Sequence, residues 1–164
     1  VFSHKFPHKT GMYKKALIKS LEQAEYNNYD VINFSPKYWE STKDYLEFSY
    51  KQHPKLEDLL QKTLSNLGVK YTKDLDVTPI YSNFFLMRNE HYKDFVENWI
   101  KPSLDYMENT SFWYEVNVDA EYKSGLSKEL LMQYTNLEFY NYIPFLLERL
   151  ILYFIHENKL KTYN

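Results

Sequence analysis

Cysteine does not occur among the 164 residues, which excludes disulfides, thiolate metal sites and a cysteine nucleophile at once. Glycine occurs 3 times, at Gly11, Gly68 and Gly125. Neither a G-x-G-x-x-G turn nor a Walker phosphate loop can be built from so few, and no G-x-S-x-G elbow exists. ATPase, kinase and α/β-hydrolase chemistry fall with those motifs. An excess of positive charge is also missing: Lys and Arg number 20 against 22 Asp and Glu, for a net charge of -2. A chain with no basic field does not wrap a nucleic-acid backbone. No stretch reads as a signal peptide, and no apolar run reaches the ~18 residues that span a bilayer. The longest, Ile143 to Ile155, contains Glu148 and Arg149 and predicts a buried helix. Together these absences point to a cytoplasmic protein without a transmembrane segment.

Apolar and aromatic residues are plentiful. The hydrophobic fraction is 44%, with Tyr 17, Phe 11 and Trp 3. That much apolar surface offsets the entropy of ordering a chain of this length, so residues 1–164 are expected to form a single domain. The chain opens on Val1 and runs at once into a motif-like stretch, from which we expect further sequence upstream.

Periodicity then divides the chain. Residues 1–11 read as irregular, closing on Gly11. From Met12 to Glu25 a helix places Leu17, Ile18, Leu21 and Ala24 on one face. Asp30 to Ser35 reads as a strand stopped by Pro36. Residues 37–52 are rich in aromatics without a clean period and read as a partly helical loop. His53-Pro54 opens a helix whose stripe is Leu56, Leu59, Leu60, Leu64 and Leu67, stopped by Gly68. A second strand is expected over Ile80 to Met87, then a helix capped by Asn89 and kinked or broken at Pro102. Residues 109–126 read as a loop or extended hairpin, and Ser127 starts a short helix. A last helix from Thr135 or Asn136 is expected to be interrupted at Pro144. The sum is an α/β fold, a small sheet of few strands packed by about five helices.

Several stretches, taken in order, carry a resemblance. They are Phe2-Ser3-His4-Lys5-Phe6 with Lys9-Thr10-Gly11, then Tyr29 to Pro36, His53-Pro54-Lys55-Leu56 through Leu67-Gly68, and Tyr81-Ser82-Asn83-Phe84-Phe85. Trp99 to Pro102 and Pro144 to Leu150 complete the set. Together they resemble glycosyltransferase-like proteins of bacterial capsule and exopolysaccharide loci, across nearly the whole chain. The resemblance implies a partial GT-A-like (half-Rossmann) domain, the C-terminal portion of a longer protein whose donor half lies upstream. It implies sugar transfer from a nucleotide-sugar to a glycan acceptor, at the inner face of the membrane and beside other polysaccharide-assembly proteins. The alternative is a non-catalytic partner or scaffold domain that docks through Ile143–Ile155 and the Trp99 helix.

Glycosyl transfer needs a polar site, and in inverting enzymes a base for the acceptor hydroxyl. Glu148 interrupts an apolar run, so it is either half of a structural ion pair or a catalytic carboxylate. Arg149 suits a core carboxylate or a helix end, or else a phosphate. His53 stands before a proline that holds it out of the helix, where it projects into a cleft or packs. Asn83 breaks an apolar strand, to fix a loop or to meet a sugar hydroxyl. Trp39, with Tyr38, Tyr45 and Trp113, offers either a stacking face or core. For a divalent metal, Mg or Mn, the weak candidates are Asp74 and Asp76, which otherwise form a solvated loop. His4, His8, His91 and His156 are too scattered to argue for zinc.

Overall fold

The computed structural model describes residues 10, 13–35, 38–39, 41–122 and 126–164. The stretch Phe2 to Phe6, with His4, His8, Gly11, Pro36 and Gly125, lies outside the described residues.

Helix α1 (Lys14–Tyr26) forms where its period placed it. Its expected face is only half used: Ala24 is buried and packs with Leu17 against Ile32 and Phe34, whereas Ile18 and Leu21 remain exposed. Asn28 then turns the chain at φ 53°, a left-handed conformation that Asn tolerates better than most residues. Strand β1 (Val31–Asn33) follows and is the centre of a three-stranded sheet.

On one side of β1 runs β2 (Phe85–Met87), antiparallel, and on the other β3 (Thr162–Tyr163), parallel. The fold is therefore mixed α/β, as expected, with strands shorter than their apolar runs. Ser82 and Asn83 both have positive φ, 53° and 56°. A ladder cannot continue through two left-handed residues, so Ile80 and Tyr81 are left outside it. β3 follows the last helix and was not foreseen.

The aromatic-rich segment is helical over more of its length than its period suggested. α2 (Thr42–Gln52) is capped by Ser41, whose hydroxyl accepts from the Asp44 N–H at 3.1 Å, satisfying one of the donors orphaned at a helix start. α3 (Leu56–Asn66) buries Leu56, Leu59, Leu60 and Leu64 completely or nearly so, each worth about 2 kcal/mol of burial. Gly68 ends it at φ 72°, where a Cβ would be strained.

Asn89 does not cap the next helix; it is the first residue of α4 (Asn89–Phe95). A wide π-helical turn, Val96–Ile100, leads on into α5 (Lys101–Asn109). Pro102 thus neither breaks nor ends the helix. In a regular α-helix its ring would strike the carbonyl four residues back and leave it unpaired. A π turn shifts the pairing by one residue there and makes room. α6 (Trp113–Val116) is a short helix within the segment expected to be a loop or hairpin. α7 (Lys128–Thr135) begins at Ser127 as expected and stops at Asn136, φ 59°. Pro144 does not interrupt a helix either: it lies in the first turn of α8 (Ile143–Glu157), where its missing N–H costs nothing.

α8 is the axis of the core. Leu150, Ile151, Leu152, Tyr153 and Phe154 are fully buried, and the Phe154 ring meets Phe95 at 5.1 Å and Trp99 at 5.5 Å. Trp99 is buried in this contact, whereas Leu147 of α8 is only half-buried. Among the described residues no helix is long and apolar enough to cross a membrane.

Candidate functional site

Polar residues of α2 and α8 meet across a cavity of ≈ 240 Å³ beside the Tyr81–Ser82 turn. On α2 the positions Tyr45, Ser49 and Gln52, with His53 just past its end, fall on one side because helical neighbours recur every three to four residues. α8 presents Phe145, Glu148 and Arg149. Trp39, Phe48, Tyr81 and Tyr122 complete the wall.

Glu148 and Arg149 are both largely enclosed, with side chains 15% and 6% exposed. Although consecutive on α8, they pair directly: Arg149 Nη1 donates to Glu148 Oε2 at 2.5 Å. The other oxygen of Glu148, Oε1, accepts from the Ser82 backbone N–H. That bond fastens the left-handed turn to the helix and explains why an otherwise costly backbone conformation is held there. Arg149 also donates from Nη1 to the Phe145 carbonyl at 3.2 Å and from Nη2 to Ser49 Oγ at 3.0 Å. Its guanidinium carbon lies 5.2 Å from the Tyr45 ring, within cation–π range. Two of the three guanidinium nitrogens are thus engaged by the protein. Its Nε has no partner among the described residues.

His53 is 4% exposed. Its Nδ1 lies 2.7 Å from the Ala120 carbonyl oxygen, which can only accept, so Nδ1 carries a proton and the neutral ring leaves its lone pair on Nε2. The Phe145 ring covers the imidazole at 4.0 Å, with Tyr122 at 5.8 Å. Burial pushes the His53 pKa below its ordinary value; the Ala120 bond raises it, Arg149 lowers it and Glu148 raises it, with the net direction downward. Among the described residues the buried Tyr45 hydroxyl has no hydrogen bond of normal geometry, and burial lifts its pKa well above the usual phenol range.

The walls are aromatic. Trp39 lies against Tyr45 at 4.8 Å and against Phe48 and Tyr81 at 5.7 Å each. The Glu148 and Arg149 charges cancel, so the hollow is apolar-walled, neutral overall and studded with hydrogen-bonding groups. Such an arrangement suits a neutral polyhydroxylated ligand better than an anion.

Of the residues singled out from sequence, Glu148, Arg149, His53, Trp39 and Tyr45 come together here. Asn83 does not. It is exposed on the left-handed turn, not within a strand, and lines a different, apolar groove with Phe85, Tyr92 and Leu147. Trp113 is outside the cavity, and Tyr38 is 67% exposed, edge-on to Trp39. Asp74 and Asp76 are exposed, and Asp76 borders another hollow with Ser41 and Thr78. Among the described residues no group of three or more His, Asp or Glu is arranged to hold a metal. Ser49, Gln52, Tyr81, Ser82, Tyr122 and Phe145 were missed. The α2 residues had a signal: Thr42, Tyr45, Leu46 and Ser49 are all buried at helical spacing, but two of the four are polar and escape a count of apolar positions.

Comparison with protein families, curated proteins and solved structures finds no match to any of them.

Proposed function

We propose that the cavity between α2 and α8 binds a sugar, and that the chain supplies the acceptor side of a glycosyltransferase-like protein of bacterial surface-polysaccharide assembly. The observation that carries this reading is the convergence of Trp39, Tyr81 and Tyr122 with His53, Glu148 and Arg149 on one neutral hollow. Pyranose rings offer polarised C–H bonds to aromatic faces and hydroxyls to polar groups, and this wall supplies both. The resemblance noted in the sequence supports the same class, because Tyr81 to Phe85, His53 to Leu56 and Pro144 to Leu150 are the segments that build the cavity. In this reading the three-stranded sheet belongs to a GT-A-like, half-Rossmann scaffold, the nucleotide-sugar binds on the upstream part, and the protein works at the cytoplasmic face of the membrane. Glu148, held by Arg149 and the Ser82 N–H, orients the site. Any Mg or Mn bound with the nucleotide lies outside this cavity, since neither Asp74 nor Asp76 lines it.

A thermal-shift screen with methyl glycosides and with UDP- and GDP-sugars tests the reading. A ligand at 100 times its Kd stabilises the folded state by about 2.7 kcal/mol. We expect at least one glycoside to raise the Tm of the chain, and Trp39→Ala to abolish that rise. If every glycoside and nucleotide-sugar leaves the Tm unchanged, the cavity is not a sugar site.

A further inference from the structure

We infer that His53, and not Glu148, is the proton-accepting residue of this cavity, its Nε2 receiving the hydroxyl hydrogen of the bound sugar. The inference rests on the sugar-binding reading above and adds to it the identity of the base.

Two carboxylate oxygens and one imidazole nitrogen compete for the role. Both oxygens of Glu148 already face donors, the Ser82 N–H and Arg149 Nη1. With both oxygens engaged by the protein, the carboxylate has no unoccupied atom turned to a sugar hydroxyl. Nε2 of His53 is in the opposite position. The Ala120 carbonyl fixes the proton on Nδ1, and among the described residues nothing donates to Nε2. The lone pair is therefore available on a ring that lines the cavity. The stack against Phe145 at 4.0 Å and the edge of Tyr142 at 6.5 Å hold the ring plane. A backbone carbonyl here does what a carboxylate does in a serine-protease triad: it selects the tautomer and aims the other nitrogen.

The groups facing His53 are Glu148 and Arg149 of α8, Tyr142 before that helix, Tyr122 from the neighbouring loop, and Gln52 on its own chain segment. Arg149 opposes protonation and Glu148 favours it. Burial of the ring keeps it neutral in the resting protein, which is the state a base requires.

The chemical step balances as follows. The acceptor hydroxyl oxygen forms a bond to the anomeric carbon of a nucleotide-activated sugar as its proton passes to Nε2. The anomeric carbon–oxygen bond to the diphosphate breaks, and the electron pair leaves with the nucleoside diphosphate. His53 becomes imidazolium beside Glu148, whose negative charge stabilises it.

Nitrogen-15 NMR of the imidazole rings, with His53→Gln used to assign the signal, tests this on the wild-type fold. We expect the Nδ1–H tautomer in the free protein and a shift of the Nε2 signal when methyl glycosides of glucose, galactose, mannose or N-acetylglucosamine are added. In a transfer assay of the longer protein that includes the upstream donor part, with UDP- and GDP-sugars, His53→Gln is expected to lose about 100-fold in rate, and to lose the acid limb of the pH profile. An Nε2–H tautomer, or an Nε2 signal that no glycoside moves, overturns the inference. So does a His53→Gln enzyme within threefold of wild type, which would leave the transferase reading standing. If the longer protein, donor part included, transfers no sugar yet Nε2 responds to a glycoside, transfer fails as the function while His53 stands as the acceptor.

Discussion

Arg149 shows how one buried cation can hold a site together. Its guanidinium ties α8 to α2 through Ser49, to its own helix through the Phe145 carbonyl, and to Glu148. Removing it strands a carboxylate that is itself 15% exposed, and an unpaired charge at such a place costs about 3 kcal/mol or more. We therefore expect Arg149→Met to lower stability by roughly 3 kcal/mol in urea denaturation, and Glu148→Gln, which leaves the still more enclosed guanidinium without its counter-charge, to cost a comparable amount. Losses below about 1 kcal/mol in both variants would show that the pair is not what stabilises this corner. That Glu148 and Arg149 are enclosed was legible from the apolar residues around them. Their pairing with each other was not, because neighbours on a helix point about 100° apart, and only long side chains bending toward a shared partner can close that angle.

Among the elements, those with a purely apolar stripe were read well and those with a mixed stripe were not. The leucines of α3 announce their helix and its buried face. α2 buries Thr42 and Ser49 beside Tyr45 and Leu46, and its Thr42 hydroxyl bonds to the Val77 carbonyl; a stripe that is half polar reads as no stripe. The two prolines misled for a related reason. Proline cannot lie inside a regular helix, but Pro144 is in a first turn and Pro102 follows a π turn. A proline strained within a helix would release about 3 kcal/mol on replacement by alanine. Because the π turn already accommodates the ring, Pro102→Ala is expected to change stability by less than about 1 kcal/mol. Guanidinium unfolding measures this, and a gain near the larger figure would mean that the ring is straining the helix.

For the molecule as a whole, His53 and Glu57 are two of the groups whose shifted titrations link stability to pH. His53 in the fold is held below its ordinary value of 6.5. As pH falls past that value the unfolded chain takes up a proton that the folded chain refuses, so stability declines until the lower folded pKa is reached. Glu57 follows in a more acid window. Burial opposes its ionisation, but Lys73 Nζ at 2.8 Å and the Tyr71 hydroxyl at 2.7 Å prevail and hold its pKa below 4.5. The stability this contributes is present above 4.5 and is lost on further acidification. We expect the urea midpoint to fall in two steps on acidification. His53→Gln should remove the first step and leave the second, and a variant that retains both steps would place the first titration elsewhere.

The amino-acid sequence alone determined the α/β class, the leucine face of α3, the enclosure of Ile143–Ile155 and the exclusion of nucleotide-loop chemistry, because each depends on local periodicity or on residues that are simply missing. Only the tertiary structure decided which polar residues share a hollow. Trp39, His53, Ser82, Tyr122 and Glu148 are far apart along the chain, and their meeting depends on how α2 crosses α8 and on a left-handed turn pinned by one carboxylate. Asn83, one residue from Ser82, is carried to the other side of that turn. Such a reversal is a property of backbone dihedrals and long-range bonding, and no count of residue types along the chain contains it.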